Sequence, residues 1–441
     1  MKNILLWGWS DVDAVMAVKN LNNNEINIVE WIGDTSSAQT PFLQFLYNPP
    51  NLGQFCLERH DYELTDIEQI KFLHMFYRES RSCGINFYEQ INIAKQYFRY
   101  FLWLLSEKGV NHVIFSVPPI IGYDYLCYLA AKRLKIKTTM CYQSLFPDRF
   151  FYFNDLENFG DFSNMEDDHS IQEVPTIDWG FRKNLFYMKE GVIRLPPNHL
   201  SRFIRQSFRH GLRKSSKPVR YSGVIENYLQ AKDFRNYYSI FAKNSSDLDL
   251  SEPYVYFPLH LQPELTTTGF GGKYSDQLDA IERISDMIPH GWRVLVKENP
   301  KQDYQQRGAE FFRRLSTIKN ATYIAKEVDT YYLMAHSQFV ATITGTAGWE
   351  SITGGKPCLV FGLAWYAQIP GVIKYTPTIT VDEILKTNID QQDQKSAFEK
   401  MYRKTRQGLV DTGYHRILND YSIENNSIKL KNFLEEVILK S

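Results

Sequence analysis

Residues 342–366 read TITGTAGWESITGGKPCLVFGLAWY, and this stretch decides the fold. The apolar run HSQFVATI leading into it predicts a strand that ends at Ile343. Thr344-Gly345-Thr346-Ala347-Gly348 then predicts a tight turn, and Trp349-Glu350-Ser351-Ile352 the opening of a helix. Lys356-Pro357 closes that helix and CLVFG starts the next strand. Strand, turn, helix and strand make an αβ unit. The turn offers backbone N–H groups and the hydroxyls of Thr344 and Thr346 at a helix N-terminus, which suits a bound phosphate. Gly345 and Gly348 permit close backbone approach. Ordinary capping threonines are the plainer reading of the same residues.

The rhythm continues on both sides. YVYFPLHL (254–261), WRVLVKENP (292–300) and ATYIA (321–325) read as strands, with helices at Gln277–Met287 and Asp329–Ala335 and a glycine-rich loop, TTTGFGGKYSDQ, between the first two. A second αβ series occupies the N-terminal part. Asn3–Trp7, INIVEWIG (26–33), NHVIFSVPP (111–119) and Lys137–Tyr142 read as strands, with helices at Asp11–Lys19 and Leu126–Leu134. The aromatic stripe from Ile67 to Glu107 reads as helical core. In open parallel sheets ligands sit beyond the carboxyl ends of strands. Asp124 and Glu264 follow such ends, as do Gly8-Trp9-Ser10, and His260 and Gln262 alternate with apolar residues so that they share a ligand-facing edge of their strand.

At 441 residues, two or three domains are expected. Fifty basic and fifty acidic residues balance, so the overall field gives no argument for nucleic acid. Five scattered cysteines (Cys56, Cys83, Cys127, Cys141, Cys358) read as reduced, buried thiols. No segment reaches the ~18–20 apolar residues that span a bilayer. A cytoplasmic protein is expected, with one route to the inner face of the membrane. From Ser201 to Arg220 there are seven Arg or Lys, one His and no acid, interleaved with Phe203, Ile204, Phe208 and Leu212. That pattern fits a basic amphipathic helix at an anionic surface, or a solvated helix packed on the protein.

Three motifs in order carry a family resemblance: PLHLQPE (258–264), VKENP (296–300) and TGTAGWESITGGKPCLVFGLAWY (344–366). Together they resemble the bacterial capsule polysaccharide synthesis family, which includes transferases of Kdo and related ulosonic acids from CMP donors. The likeness covers roughly residues 254–370, with a weaker echo at 122–151. It implies an α/β fold of GT-B type: two Rossmann-like lobes with a cleft between them and a C-terminal helix. The expected division is 1–250 (acceptor lobe, with the basic segment near 200–220), 251–400 (donor-nucleotide lobe) and 401–441. It also implies donor contacts from Gln262, Lys297, Asn299, Pro300, Thr344, Gly345, Thr346, Ala347, Gly348 and Glu350. Asn299 stands where the family has His; an Asn amide can donate to a phosphate but cannot carry a catalytic proton.

Breaking a CMP–ulosonate bond leaves an oxocarbenium-like centre, and carboxylates stabilise such centres in glycoside chemistry. Asp124 and Glu264 are the catalytic candidates, with Asp276 in reserve for the second. The plainer readings are a helix cap for Asp124 and a loop ion pair for Glu264. No HxH or HExxH spacing occurs, and no DxD triplet of the type that binds a metal–diphosphate pair, so no metal and no cofactor beyond the CMP-sugar itself are expected. The expected function is transfer of Kdo or a related acid, such as pseudaminic acid, to a glycan or glycolipid acceptor. The alternatives are a UDP-sugar transferase or epimerase-like enzyme of the same fold, and a non-catalytic assembly adaptor.

Overall fold

The computed structural model describes residues 1–21, 23–41, 63–80, 85–177, 221–304 and 307–440. The basic segment Ser201–Arg220 lies outside the described residues. The chain forms two compact units. The first comprises Met1–Asn158, Phe162–Gln172 and Met401–Ser441, and the second Phe159–Asp161 and Glu173–Lys400.

The first unit holds strands β1 (Lys2–Trp7), β2 (Ile26–Gly33), β3 (Thr40–Pro41), β4 (His112–Phe115), β5 (Lys137–Gln143) and β6 (Arg149–Phe153). The second holds β7 (Tyr254–Pro258), β8 (Arg293–Lys297), β9 (Ala321–Ile324), β10 (Phe339–Thr342), β11 (Cys358–Val360) and β12 (Val372–Lys374); β13 (Arg406–Gln407) returns to the first. The first sheet runs β13-β6-β5-β4-β1-β2-β3. Its pairs are parallel except β5–β6 and β6–β13. The second runs β12-β11-β10-β7-β8-β9 and is parallel throughout. Each starts with a central strand, builds two neighbours to one side, and then crosses to the other. That is the Rossmann order, whose reversal point opens a crevice beyond the carboxyl ends of the two central strands.

In the second unit, side-chain alternation sorts the core onto two faces. Val255, Phe257, Val294, Val296, Phe339 and Ala341 pack with Leu278, Ile281, Ile284, Phe312 and Leu315 of two covering helices. Tyr254, Tyr256, Leu295 and Val340 pack on the other face with Leu333 and Met334, and Ala347 lies against that cluster. Covered on both faces, these strands are apolar throughout, which is why the sequence shows runs there rather than alternation.

Three expectations are corrected. The helix after β10 starts at Thr346, not Trp349, so Thr346, Ala347 and Gly348 form its first turn and Gly345 caps it. The reason is Gly348: a Cβ there would lie 2.2 Å from the Tyr366 hydroxyl and 2.8 Å from Cys358 Sγ, so a side-chain-free residue lets the first turn settle on β11. Residues 401–441 are not a separate appendage. The Ile423–Leu439 helix buries Leu430, Phe433, Leu434 and Ile438 against Ile4, Ala17 and Phe150 of the first unit. Likewise the Tyr221–Phe241 helix belongs with the second unit, where Phe234 enters its core.

Candidate functional site

The crevice of the second unit lies where β7 and β10 part. His260 and Glu264 follow β7, and Thr344 to Gly348 follow β10. His260 binds the two loops together. Its Nε2 accepts from the Ile343 amide at 3.2 Å and lies 2.8 Å from Thr342 Oγ1, which itself accepts from the Gly345 amide at 3.3 Å. Burial, aided by the charge of Arg307, lowers the His260 pKa to about 3. The ring is therefore neutral with Nε2 as acceptor, which places its hydrogen on Nδ1. A Cβ on Gly345 would come 2.8 Å from the ring, so only glycine fits there. Thr344 adds a second tie, donating its hydroxyl to the Thr266 carbonyl at 2.6 Å. Gly362 backs Thr344 from behind, where a Cβ would meet Thr344 Cγ2 and the Phe270 carbonyl, each at 2.6 Å.

These ties revise the expected phosphate cradle. The Ile343 and Gly345 amides and the Thr344 hydroxyl are turned inward. The helix's first turn begins at Thr346 and Ala347, whose amides precede the first intrahelical acceptor and lie at its positive end. Glu350 is buried one turn further on. Trp365 packs on Trp349 with ring centroids 5.0 Å apart, and Tyr366 donates its hydroxyl to the Gly345 carbonyl. Both rings are buried in the core.

Beneath the His260–Glu264 loop lies a buried polar network that the sequence reading missed. Arg307 and Glu298 are wholly buried and paired, Nε to Oε2, at 2.8 Å. Arg307 also donates to the Gln262 side-chain oxygen at 2.8 Å and the His260 carbonyl at 3.2 Å. Gln262 gives its amide hydrogens to the Ser275 carbonyl at 2.7 Å and accepts from Gln277 at 2.7 Å. Gln302 brackets the Gln262 backbone, accepting from its N–H at 2.9 Å and donating to its carbonyl at 3.1 Å. Tyr323 completes the set by donating to Glu298 at 2.7 Å. Gln262 is thus a loop anchor, and its expected donor contact would require breaking bonds it already makes. Sequence gave a partial signal: Glu298 sits inside VKENP. Arg307 stands in an unremarkable polar stretch with no pattern to mark it.

Lys297 behaves differently. Its strand position puts it on the Leu295 face, the one against which Ala347 packs. It is 3 % exposed, yet its ammonium makes no hydrogen bond or ion pair among the described residues. Burial lowers its pKa to about 8, against the opposing pull of Glu298, Glu327 and Asp329. A buried cation without a partner costs stability unless an anion joins it. Asn299 accepts from the Lys301 amide at 2.9 Å through its Oδ1, leaving its NH2 without a partner among the described residues; Pro300 follows, half-buried. Glu264 is exposed at the loop tip, where it accepts from the Thr266 hydroxyl at 3.2 Å. Asp276, its reserve, caps the Gln277–Met287 helix through the Leu278 amide at 3.1 Å and pairs with Arg314.

Asp124 is in the first unit, in the first turn of the Tyr123–Arg133 helix. It is 2 % exposed, and its carboxylate accepts from the Ile120 and Ile121 amides at 2.7 and 3.0 Å. Burial raises its pKa to about 7. Both oxygens are engaged in closing the loop before the helix, close to the capping role that was its plainer reading. Among the described residues no group of three His, Cys, Asp or Glu could hold a metal ion, and no helix is long and apolar enough to cross a membrane.

Residues 209–406 match the capsule polysaccharide biosynthesis protein family. The matched span contains all three motifs and the whole sheet of the second unit, so the resemblance read from the sequence holds there. No curated protein matches the chain. Similar solved structures include the β-Kdo 2,7 transferase of KpsC from Thermosulfurimonas dismutans, at 11 % identity, with 75 % of this chain and 88 % of that one covered and a TM-score of 0.32. The β-Kdo 2,4 transferase of the same protein aligns at 11 % identity over 70 % and 88 %, with a TM-score of 0.31. The UDP-GlcNAc 2-epimerase of Methanocaldococcus jannaschii aligns at 11 % identity over 100 % of both chains, with a TM-score of 0.23.

Proposed function

We propose that this protein is a glycosyltransferase that moves Kdo or a related ulosonic acid, such as pseudaminic acid, from a CMP donor to a glycan or glycolipid acceptor in capsule or surface polysaccharide synthesis. The observation that carries the reading is the reversal point of the second sheet. A family-matched Gly-Thr helix start faces outward there, and an uncommitted buried lysine shares its face. The donor's phosphate would sit on the Thr346 and Ala347 amides with the Lys297 ammonium and the Asn299 NH2 as further donors. A monophosphate needs no divalent metal beside those groups, so chelators should leave activity intact.

In the transfer, the bond from the anomeric carbon to the phosphate oxygen breaks and CMP leaves with the electron pair. Glu264, exposed at the loop, stabilises the cationic centre through its carboxylate, and the acceptor hydroxyl adds to the anomeric carbon and gives up its proton to solvent water. Asp124, with both oxygens occupied, shapes the acceptor-side loop rather than moving a proton. Contact of Ser201–Arg220 with the inner face of the membrane belongs to the same reading.

Calorimetry with CMP and UDP tests the donor: CMP should bind, and binding of UDP alone would favour the epimerase-like or UDP-sugar alternative. Glu264→Gln should keep CMP affinity and lose transfer. A wild-type protein that binds acceptor glycan but neither cleaves nor binds any nucleotide sugar would be an assembly adaptor instead.

A further inference from the structure

A second concavity opens in the second unit, away from the reversal point. It is a groove of about 660 Å³ between the Gln277–Met287 helix and the segment after β12, lined by Lys273, Tyr274, Arg283, Tyr375, Thr378 and their neighbours. That size suits a small ligand or a short stretch of a chain. Its aromatic wall is fixed from within. Tyr375 stacks on Phe361 at 4.4 Å and 20°, Tyr274 meets Phe361 edge-on at 4.9 Å, and Lys273 lies over the Tyr274 ring at 5.0 Å.

The charges of the helix are divided unevenly. Asp279 stands four residues before Arg283, the spacing at which the two would pair on a helix. Asp279 bonds to Arg314 instead, at 2.8 Å, as do Asp276 and Glu282 at 2.5 and 2.9 Å. Arg283 is therefore exposed on the groove side, with no ion pair among the described residues. Lys273 likewise has no acidic partner there, and Asp286 is the one acid of the lining. Two cations without an acidic partner among the described residues, aromatic rings and threonine hydroxyls are the groups that hold a carboxylated sugar. The guanidinium grips the carboxylate, the rings take the apolar C–H face, and the hydroxyls take the rest.

We infer that this groove is an acceptor subsite for an acidic saccharide chain. The inference rests on the proposed transfer, because a chain built from ulosonic acids carries a carboxylate on each added unit. The groove also shares a loop with the donor side. The segment running from Glu264 through Lys273 and Tyr274 is tied to the reversal point by the Thr344–Thr266 bond and by the Leu363 amide on the Phe270 carbonyl at 3.0 Å.

The test is calorimetry on the full chain with trigalacturonate and a sialic acid trimer as acidic probes, maltotriose as the neutral one, and CMP as a separate arm. The acidic trimers should bind, more weakly as salt rises, and maltotriose should not. Lys273→Ala with Arg283→Ala should weaken the acidic trimers at least tenfold and leave CMP affinity unchanged. Failure of both acidic trimers to bind, equal binding of maltotriose, or full affinity in the double variant would overturn the inference. If the wild type is silent to CMP while the acidic trimers bind through Lys273 and Arg283, the donor reading falls and the groove stands.

Discussion

The same strand order is built twice in this chain, and the two reversal points are finished in opposite ways. In the first unit, β1 and β4 part at Gly8 and Ser116. Backbone and aromatic groups close the gap: Ser116 donates its amide to the Trp7 carbonyl at 2.9 Å, and Trp9 buries its ring and donates to the Ile114 carbonyl at 3.1 Å. A Cβ on Gly8 would lie 2.1 Å from Ser116 Oγ. In the second unit the corresponding loops are held by side chains: His260, Gln262, Glu298 and Arg307 fix the geometry, and Lys297 is left over. A Rossmann-like sheet offers a ligand place by topology alone. Whether the place is kept open depends on whether charge or hydrocarbon fills the strand ends.

The largest effect should come from Arg307→Met. It leaves Glu298 buried without its partner, which costs about 3–5 kcal/mol, and frees the Gln262 loop. Chemical denaturation should show the loss, and CMP binding should vanish with it. Retained CMP affinity would mean the network is not what shapes the second reversal point.

Lys297→Met should act in two directions. The native pKa of about 8 lies below the ordinary 10.5, so the folded chain binds fewer protons than the unfolded one between those values. Its contribution to stability therefore rises with pH across that window, and below pH 8 the buried ammonium carries its full penalty. The variant should gain roughly 3 kcal/mol at pH 7, a gain that shrinks to nothing near pH 10.5. Its CMP affinity should fall about tenfold. Wild-type CMP affinity should itself weaken as pH rises through 8. A variant that gains stability but binds CMP normally would leave Lys297 as buried strain and no more.

A matched pair of glycine variants sharpens the contrast. Gly348→Ala pushes on Tyr366 and Cys358, and Gly8→Ala forces a side chain into a φ of +83°. Each should cost about 1–3 kcal/mol. Only Gly348→Ala should weaken CMP, because only its reversal point is assigned to the donor.

The smallest effect on CMP binding is expected from Asp124→Asn, which takes an acceptor from the Ile120 and Ile121 amides of the first unit. The pKa of about 7 lies above the ordinary 3.8, so the folded chain binds more protons across that window, and Asp124's contribution falls as pH rises through it. The Asn variant should lack that slope. CMP affinity should not change, and loss of transfer with folding intact would restore a catalytic role.

The αβ rhythm was legible because each strand buried on both faces leaves an apolar run and each turn leaves Gly, Pro or small polar residues. The Gln277–Met287 helix and β2 emerged at their observed bounds. The motif residues did converge on one reversal point, but their tasks did not follow from their identities. Thr344 and Gln262 looked like ligand contacts and are loop ties, because a hydroxyl or amide near a crevice can face either way. The helix start was misplaced because Gly345 and Gly348 read alike, and only the packing of Tyr366 and Cys358 separates a cap from a first turn. Arg307 and Gln302 were invisible, since a partner brought in by tertiary folding has no spacing rule.

The return of residues 401–440 to the first unit has a consequence for synthesis. β13 completes the sheet edge at β6, Lys2 donates to the Ile438 carbonyl at 3.0 Å, and the Ile423–Leu439 helix covers Trp9 and Phe150. On the ribosome, the half of the protein made first must wait, greasy and incomplete, until the later half has emerged and closed it.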